Sequence, residues 1–101
     1  MSEDRYYAVR MLWLRDQQAC EKYQEMAKPI LARHKVQVEH WLVADRIVGE
    51  GIDKPDLIVV TSYPSAAALE AFENDPDFEK ASALRAAGAK LITVTAYSGL
   101  P

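Results

Sequence analysis

Four side chains in this sequence are placed to do chemistry on a small molecule: His40, Tyr23, Tyr63 and Arg85. An imidazole changes charge near neutral pH, so His40 beside a pocket would serve as a general base. Tyr23 and Tyr63 each offer a hydroxyl able to orient a polar ligand. Arg85 can hold a carboxylate or phenolate through two parallel N–H bonds. Each also has a plainer role. His40 fits a hydrogen-bonded histidine at a sheet edge or subunit seam. The tyrosines fit core aromatics with one satisfied hydroxyl, and Arg85 fits an ion pair with Asp or Glu. Two further groups bear on the site. Arg10 is the one charge inside the apolar run from Tyr6 to Leu14, and a buried charge must find a partner. An ion pair across a subunit boundary, with Glu39, is expected there ahead of substrate binding. His34 ends a helical stretch, where a cationic imidazole suits the helix dipole and a capping role is expected.

Other chemistries lack their residues. The chain has two histidines and one cysteine, with no tight ligand spacing, so no metal is expected. It has no phosphate-binding glycine loop, no G-x-S-x-G elbow and no Ser/His/Asp set, and no cofactor is called for. Cys20 lies on an apolar helical stripe, where a free thiol is filler rather than nucleophile. As the lone cysteine it also forms no intrachain disulfide, and nothing suggests an oxidising compartment. The net charge is −3. The first fifty residues carry eight charges of each sign, and the remainder four basic against seven acidic. Nucleic-acid binding has no electrostatic footing in such a distribution. No run approaches the ~20 apolar residues of a membrane span, and the polar start is unlike a signal peptide. A cytoplasmic protein with no membrane partner is the expectation.

The elements that must position these groups follow from periodicity. Tyr6 to Leu14 is aromatic and β-branched and reads as a strand. Asp16 can cap a helix whose apolar stripe comprises Ala19, Cys20, Tyr23, Met26, Ala27, Ile30, Leu31 and His34. Pro29 lies inside this helix and is expected to kink its last turns. Val36 to Val43 reads as an edge strand, its wet positions being Gln37 and Glu39, with His40 and Trp41 facing opposite ways. Residues 45–56, with Gly49, Gly51 and Pro55, form a connection long enough to extend strands or line a site. Leu57 to Tyr63 is a third strand. Ser65 caps a helix to Glu73. Asp75 and Pro76 start another that runs to about Ala87, with Gly88 as its C-terminal signal. Phe78, Ala81, Ser82 and Arg85 share one face of that helix. Lys90 to Tyr97 is the last strand.

With 101 residues, half of them hydrophobic, the chain suits a single domain, residues 1–101. The order of strands and helices is the split β-α-β pattern of an α+β, ferredoxin-like fold: a four-stranded antiparallel sheet with all helices on one face. The opening strand is apolar on both faces. Tyr7, Val9, Met11 and Trp13 are expected to meet the helices, because Arg10 lies on the other side. Trp13 and Trp41 are expected as packing residues. Leaving the second face wet would cost about 25 cal/mol per Å² of apolar surface. No segment remains to cover it, so a second copy packed sheet to sheet is expected.

Taken together, the residues resemble a known pattern. Tyr7 in the opening strand is followed by Asp16, Tyr23 and Pro29, then Glu50-Gly51 and Pro55. Tyr63-Pro64-Ser65, Ala68, Phe72, Pro76, Phe78 and Arg85 complete it. Over nearly its whole length the chain resembles the uncharacterised proteins grouped as domain of unknown function 1330, in the dimeric α/β-barrel superfamily. The resemblance implies a homodimer whose subunits pair into a dimeric α/β barrel. Two departures stand out: His34-Lys35 replaces a glycine pair after the first helix, which calls for a left-handed residue, expected at His34. The link between the middle strands is also longer. The superfamily includes cofactor-independent monooxygenases, haem-degrading enzymes, lactone isomerases and non-catalytic sensors, among which the fold does not choose. The function expected is a homodimer binding a small organic molecule between helices and sheet, through Tyr23, Tyr63 and Arg85. The alternative is a cofactor-independent monooxygenase or isomerase on an aromatic or lactone-like substrate. In that reading His40, Tyr23 and Arg85 converge as base, orienting hydroxyl and anion clamp.

Overall fold

A computed structural model describes residues 5–98. Its elements run β1 (Tyr6–Leu14), α1 (Gln17–Arg33), β2 (Gln37–Val43), β3 (Leu57–Tyr63), α2 (Ala66–Glu73), α3 (Pro76–Gly88) and β4 (Ala89–Tyr97). The helix starts are those the polar residues specify. The Asp16 carboxylate accepts the Ala19 N–H at 3.3 Å, Ser65 Oγ accepts that of Ala68 at 3.1 Å, and Asp75 accepts that of Asp77 at 2.9 Å. Helix α1 continues through Pro29 to Arg33. The turn into β2 is made by Lys35, at φ 57°, and not by His34, at φ −98°. A left-handed residue is indeed needed, one position later than expected. The His34 side chain is engaged elsewhere.

The four strands pair antiparallel in the order β2-β3-β1-β4. This is the α+β, ferredoxin-like arrangement. All three helices pack on one sheet face, in a core of Ala8 and Tyr63 from the sheet with Ile30, Leu69, Phe72, Phe78 and Ala81 from the helices. Register assigns the faces. Ala8, Arg10, Leu12 and Leu14 of β1 lie under the helices together with Leu57, Val59 and Thr61 of β3. The expectation that Tyr7, Val9, Met11 and Trp13 would meet the helices is therefore reversed. Arg10 lies on the helix side all the same, its two terminal nitrogens donating to hydroxyls on β3. The other face carries Val9, Met11, Ile58, Val60, Leu42, Ile92 and Val94 in adjoining rungs, with no helix over them. Val94 is 54% exposed there.

Residues 44–56 form neither strand nor helix. The base of the loop is pinned: Asp56 donates its N–H to the Leu12 carbonyl at 2.8 Å, and its carboxylate accepts the Leu14 N–H at 2.7 Å. The Asp53 carbonyl accepts the Trp13 indole N–H at 3.2 Å. The tip is exposed, with Gly49 and Gly51 at positive φ. None of the described helices is long and apolar enough to cross a membrane.

Candidate functional site

A cavity of about 220 Å³ lies between α1, α3 and the helix-side face of the sheet. Its geometry follows from where the helices stop. The stripe Cys20, Tyr23, Ala27 and Leu31 on α1 forms one wall, spaced at three and four residues so that all four point the same way. Leu12, Leu57 and Val59 form the sheet side. Along β2 the helix layer gives no full cover, and the rim residues Val38 and Trp41 are about half exposed. Trp41 is thus a rim residue, beyond the packing role expected of it. No residue of the loop 44–56 lines this cavity, so the longer link does not contribute to it.

Tyr23, Tyr63 and Arg85 all line the cavity. Tyr63 is fully buried at the end of β3, and Tyr23 and Arg85 are partly exposed. Arg85 Nη1 donates to the Tyr23 hydroxyl across 3.4 Å. Its guanidinium carbon sits 5.4 Å from the Tyr23 ring centre and 5.3 Å from that of Phe78, within cation–π range of both. Among the described residues no carboxylate stands within ion-pair distance of Arg85, so the plain salt-bridge role is not met.

His40 is not at this cavity. A bulge between Val38 and His40 shifts the register, so that Val38 opposes Thr61 while His40 opposes Val60. His40 therefore sits exposed on the helix-free face, and within one chain it does not converge with Tyr23 and Arg85.

Sequence reasoning missed the floor of the cavity. Arg10 is 7% exposed. Its Nη1 donates to Thr61 Oγ1 at 2.7 Å and its Nη2 to the Tyr63 hydroxyl at 3.0 Å, while the two hydroxyls lie 3.2 Å apart. Its Nε–H is buried with no acceptor among the described residues. Within one chain Glu39 does not meet Arg10, because it belongs to the other face: it accepts from Ser62 Oγ, itself paired with Tyr7. The signal available was Arg10 itself, a lone charge in an apolar strand. Its partners on β3 were hidden because register is not written in either strand alone.

Cys20 also lines the cavity, but burial, reinforced by Asp16 and then Glu21, pushes its thiol pKa up. A thiol held protonated is a poor nucleophile.

A separate cluster holds the helices rather than a ligand. Asp75 Oδ2 lies 2.7 Å from both His34 Nε2 and Arg33 Nη1. The His34 hydrogen bond leads in lowering the Asp75 pKa to about 2. The Asp77 N–H adds to it, partial burial opposes it, and Arg33 adds further. This side chain joins the end of α1 to the start of α3. His34 thus ends α1 as expected, with its imidazole on Asp75 and its ring edge-on to Phe72 at 5.9 Å.

Residues 5–98 match the family described as domain of unknown function (DUF1330). The chain belongs to this family. No curated protein matches this DUF1330 chain in sequence. Its fold is shared with solved structures. One is a protein of unknown function, RPA0582 from Rhodopseudomonas palustris, at 19% identity and TM-score 0.86, covering 99% of this chain and 86% of that one. Another is SnoaB from Streptomyces nogalater, a cofactor-independent oxygenase, at 10% identity and TM-score 0.67, covering 97% and 96%. A third is a dimeric ferredoxin-like protein of unknown function from Thermobifida fusca, at 14% identity and TM-score 0.62, covering 96% and 93%. At these identities the likeness shows the fold.

Proposed function

We propose that this DUF1330 protein is a cytoplasmic homodimer that binds a small organic molecule in the cavity between its helices and its sheet. The observation that carries the reading is the cavity itself: apolar walls, a half-open rim at Trp41, and Tyr23, Tyr63 and Arg85 all reaching it. Mostly apolar clefts with a few convergent polar groups are where small molecules bind. The homodimer rests on the helix-free sheet face. Its valines, isoleucines, Leu42 and Met11 form a continuous apolar surface of the kind that a two-fold copy covers. A dimeric relative of the same fold supports this assembly. His40 lies on that face, where it suits a seam residue.

The rival reading, a cofactor-independent oxygenase or isomerase, draws support from SnoaB. It is the weaker of the two, because its expected base, His40, faces away from the cavity within the subunit. The test is thermal unfolding of the full chain against a panel of small phenols and carboxylates. A ligand at a hundred times its Kd adds about 2.7 kcal/mol of stability, which is on the order of 10 °C or more for a domain of this size. If no member of the panel shifts the transition, the binding reading fails. Oxygen uptake on adding a stabilising phenol would favour the oxygenase.

A further inference from the structure

We infer that the ligand of this cavity is an organic carboxylate and that Arg10 is the group that holds its charge. The inference rests on the binding reading above and adds the chemical class of the ligand. A guanidinium keeps its charge at every physiological pH, and a buried charge is ordinarily paired with a carboxylate or bound anion. Arg10 is more than nine-tenths buried, yet no described carboxylate lies within ion-pair distance of it. Its hydrogen-bond partners are two neutral hydroxyls, Thr61 and Tyr63.

The donor count points the same way. A guanidinium brings five N–H donors and each hydroxyl one more. The cluster satisfies three bonds internally: Arg10 to Thr61, Arg10 to Tyr63, and one between the two hydroxyls. Whichever hydroxyl donates in the shared bond, the proton of the other remains. The cluster is therefore rich in donors and poor in acceptors, which is the complement of an anion. Thr61 Oγ1 and the Tyr63 hydroxyl lie 3.2 Å apart, one on each terminal nitrogen, and Nε has no acceptor among the described residues. A carboxylate, with a full charge and acceptor oxygens only, supplies what these neutral partners lack. The apolar walls then select the rest of the molecule: a ring or branched chain between Tyr23 and Leu31 on one side and Val59 on the other. Arg85 is already stacked on Tyr23 and Phe78, and it stands nearer the opening.

The experiment compares matched acid and amide probes on the full-length protein by calorimetry: benzoate with benzamide, phenylacetate with phenylacetamide, and 1-naphthoate with 1-naphthamide. The acid of at least one pair is expected to bind at least tenfold more tightly than its amide. Arg10→Met should abolish that preference, bringing the acid-to-amide ratio to about one, and Arg10→Lys should keep only part of it. The wild-type acid-to-amide ratio needs no variant, so a folding failure in Arg10→Met leaves the inference testable. Equal binding of acid and amide overturns it and leaves the cavity reading standing. Binding of neither, across all pairs, sinks the cavity reading as well. A preference that survives Arg10→Met and disappears in Arg85→Met moves the charge to Arg85 and also overturns the assignment.

Discussion

Gly88→Ala is expected to destabilise this protein by about 1–3 kcal/mol. Gly88 does not end α3 by adopting a left-handed turn, as its place in the sequence suggests. It is the point where the last turn of α3 touches the first turn of α1. A Cβ built there would stand 2.6 Å from Cys20 Sγ, 2.9 Å from the Cys20 backbone nitrogen and 3.1 Å from the Asp16 carbonyl oxygen. The sulfur can rotate away, but the two backbone atoms move only if the start of α1 moves. The same contact carries two backbone hydrogen bonds, from Arg15 N–H at 2.7 Å and Asp16 N–H at 3.0 Å to the Gly88 carbonyl. Overpacking costs about 1–3 kcal/mol. Strained bonds add a fraction of the ~1 kcal/mol that each contributes. The methyl group returns about 0.5–1 kcal/mol through helix propensity and a stiffer unfolded chain. The balance is a net loss. Urea unfolding at one fixed protomer concentration reads it as a lower midpoint with an unchanged slope. Adding Cys20→Ala removes the 2.6 Å contact only, so the double variant should recover less than half of the loss. A Gly88→Ala protein within about 0.5 kcal/mol of wild type, the range of an ordinary surface change, would refute the close-approach argument.

Four further outcomes follow from named contacts. Val60→Glu places a charge at the centre of the helix-free face, beside Val9 and His40, and should convert a particle of about twice 11.3 kDa into one of 11.3 kDa by light scattering; unchanged mass would place the interface elsewhere. The folded-state carboxyl of Asp75 lies below its ordinary value of 3.8, at about 2, so it adds stability above about pH 4 that is lost as the pH falls towards 2. Asp75→Asn should flatten the thermal-stability profile over that interval, and an unchanged acid slope would remove Asp75 as its cause. Cys20 should alkylate with iodoacetamide more slowly than free cysteine at pH 7.5, since its thiol pKa is pushed up; equal or faster reaction would contradict that. Ser65→Ala removes the hydroxyl that accepts the Ala68 N–H and should cost about 1 kcal/mol in the same urea assay, against no cost if the cap is idle.

The order of elements and the three helix caps were legible in the sequence, because each is written in a short run of residues. Asp16, Ser65 and Asp75-Pro76 specify their helix starts locally, and the aromatic and branched runs specify the strands. Tyr23 and Arg85 could be placed on inward stripes for the same reason. What misled was information held between strands. Arg10 looked like a residue to be kept away from the helix layer, since its strand contains no partner for it; the partners sit on β3, at Thr61 and Tyr63, and only the register brings them together. His40 is the sharper case. Counting by twos from Val38 puts His40 on the cavity side, and the single bulge between them reverses it. One extra residue in an edge strand, which no propensity reveals, separates the histidine from the site to which its chemistry would assign it.

The two arginines are the place where this fold departs from the rules it obeys elsewhere. A shortage of acidic side chains does not explain it, because the chain has fifteen against twelve basic ones. Where a carboxylate is needed for structure, one is supplied: Asp75 receives both Arg33 and His34, and Glu39 receives Ser62. Around Arg10 the residues on the neighbouring rungs are Ala8, Leu12, Val59, Thr61 and Thr93, all neutral. The cavity wall on α1 supplies no acid either: Cys20, Tyr23, Gln24, Ala27 and Leu31 are neutral and Lys28 is a cation. An arginine there for stability alone would be served better by an acid at any of these positions, or by a leucine in its own place, since an unpaired buried charge costs folding energy. Local rules broken without a compensating contact inside the chain are expected where a site is kept ready for something outside it. The same bookkeeping ranks the two arginines: Arg85 recovers part of its cost from two aromatic faces and partial exposure, whereas Arg10 has only hydroxyls, which makes it the group with most to gain from an anion.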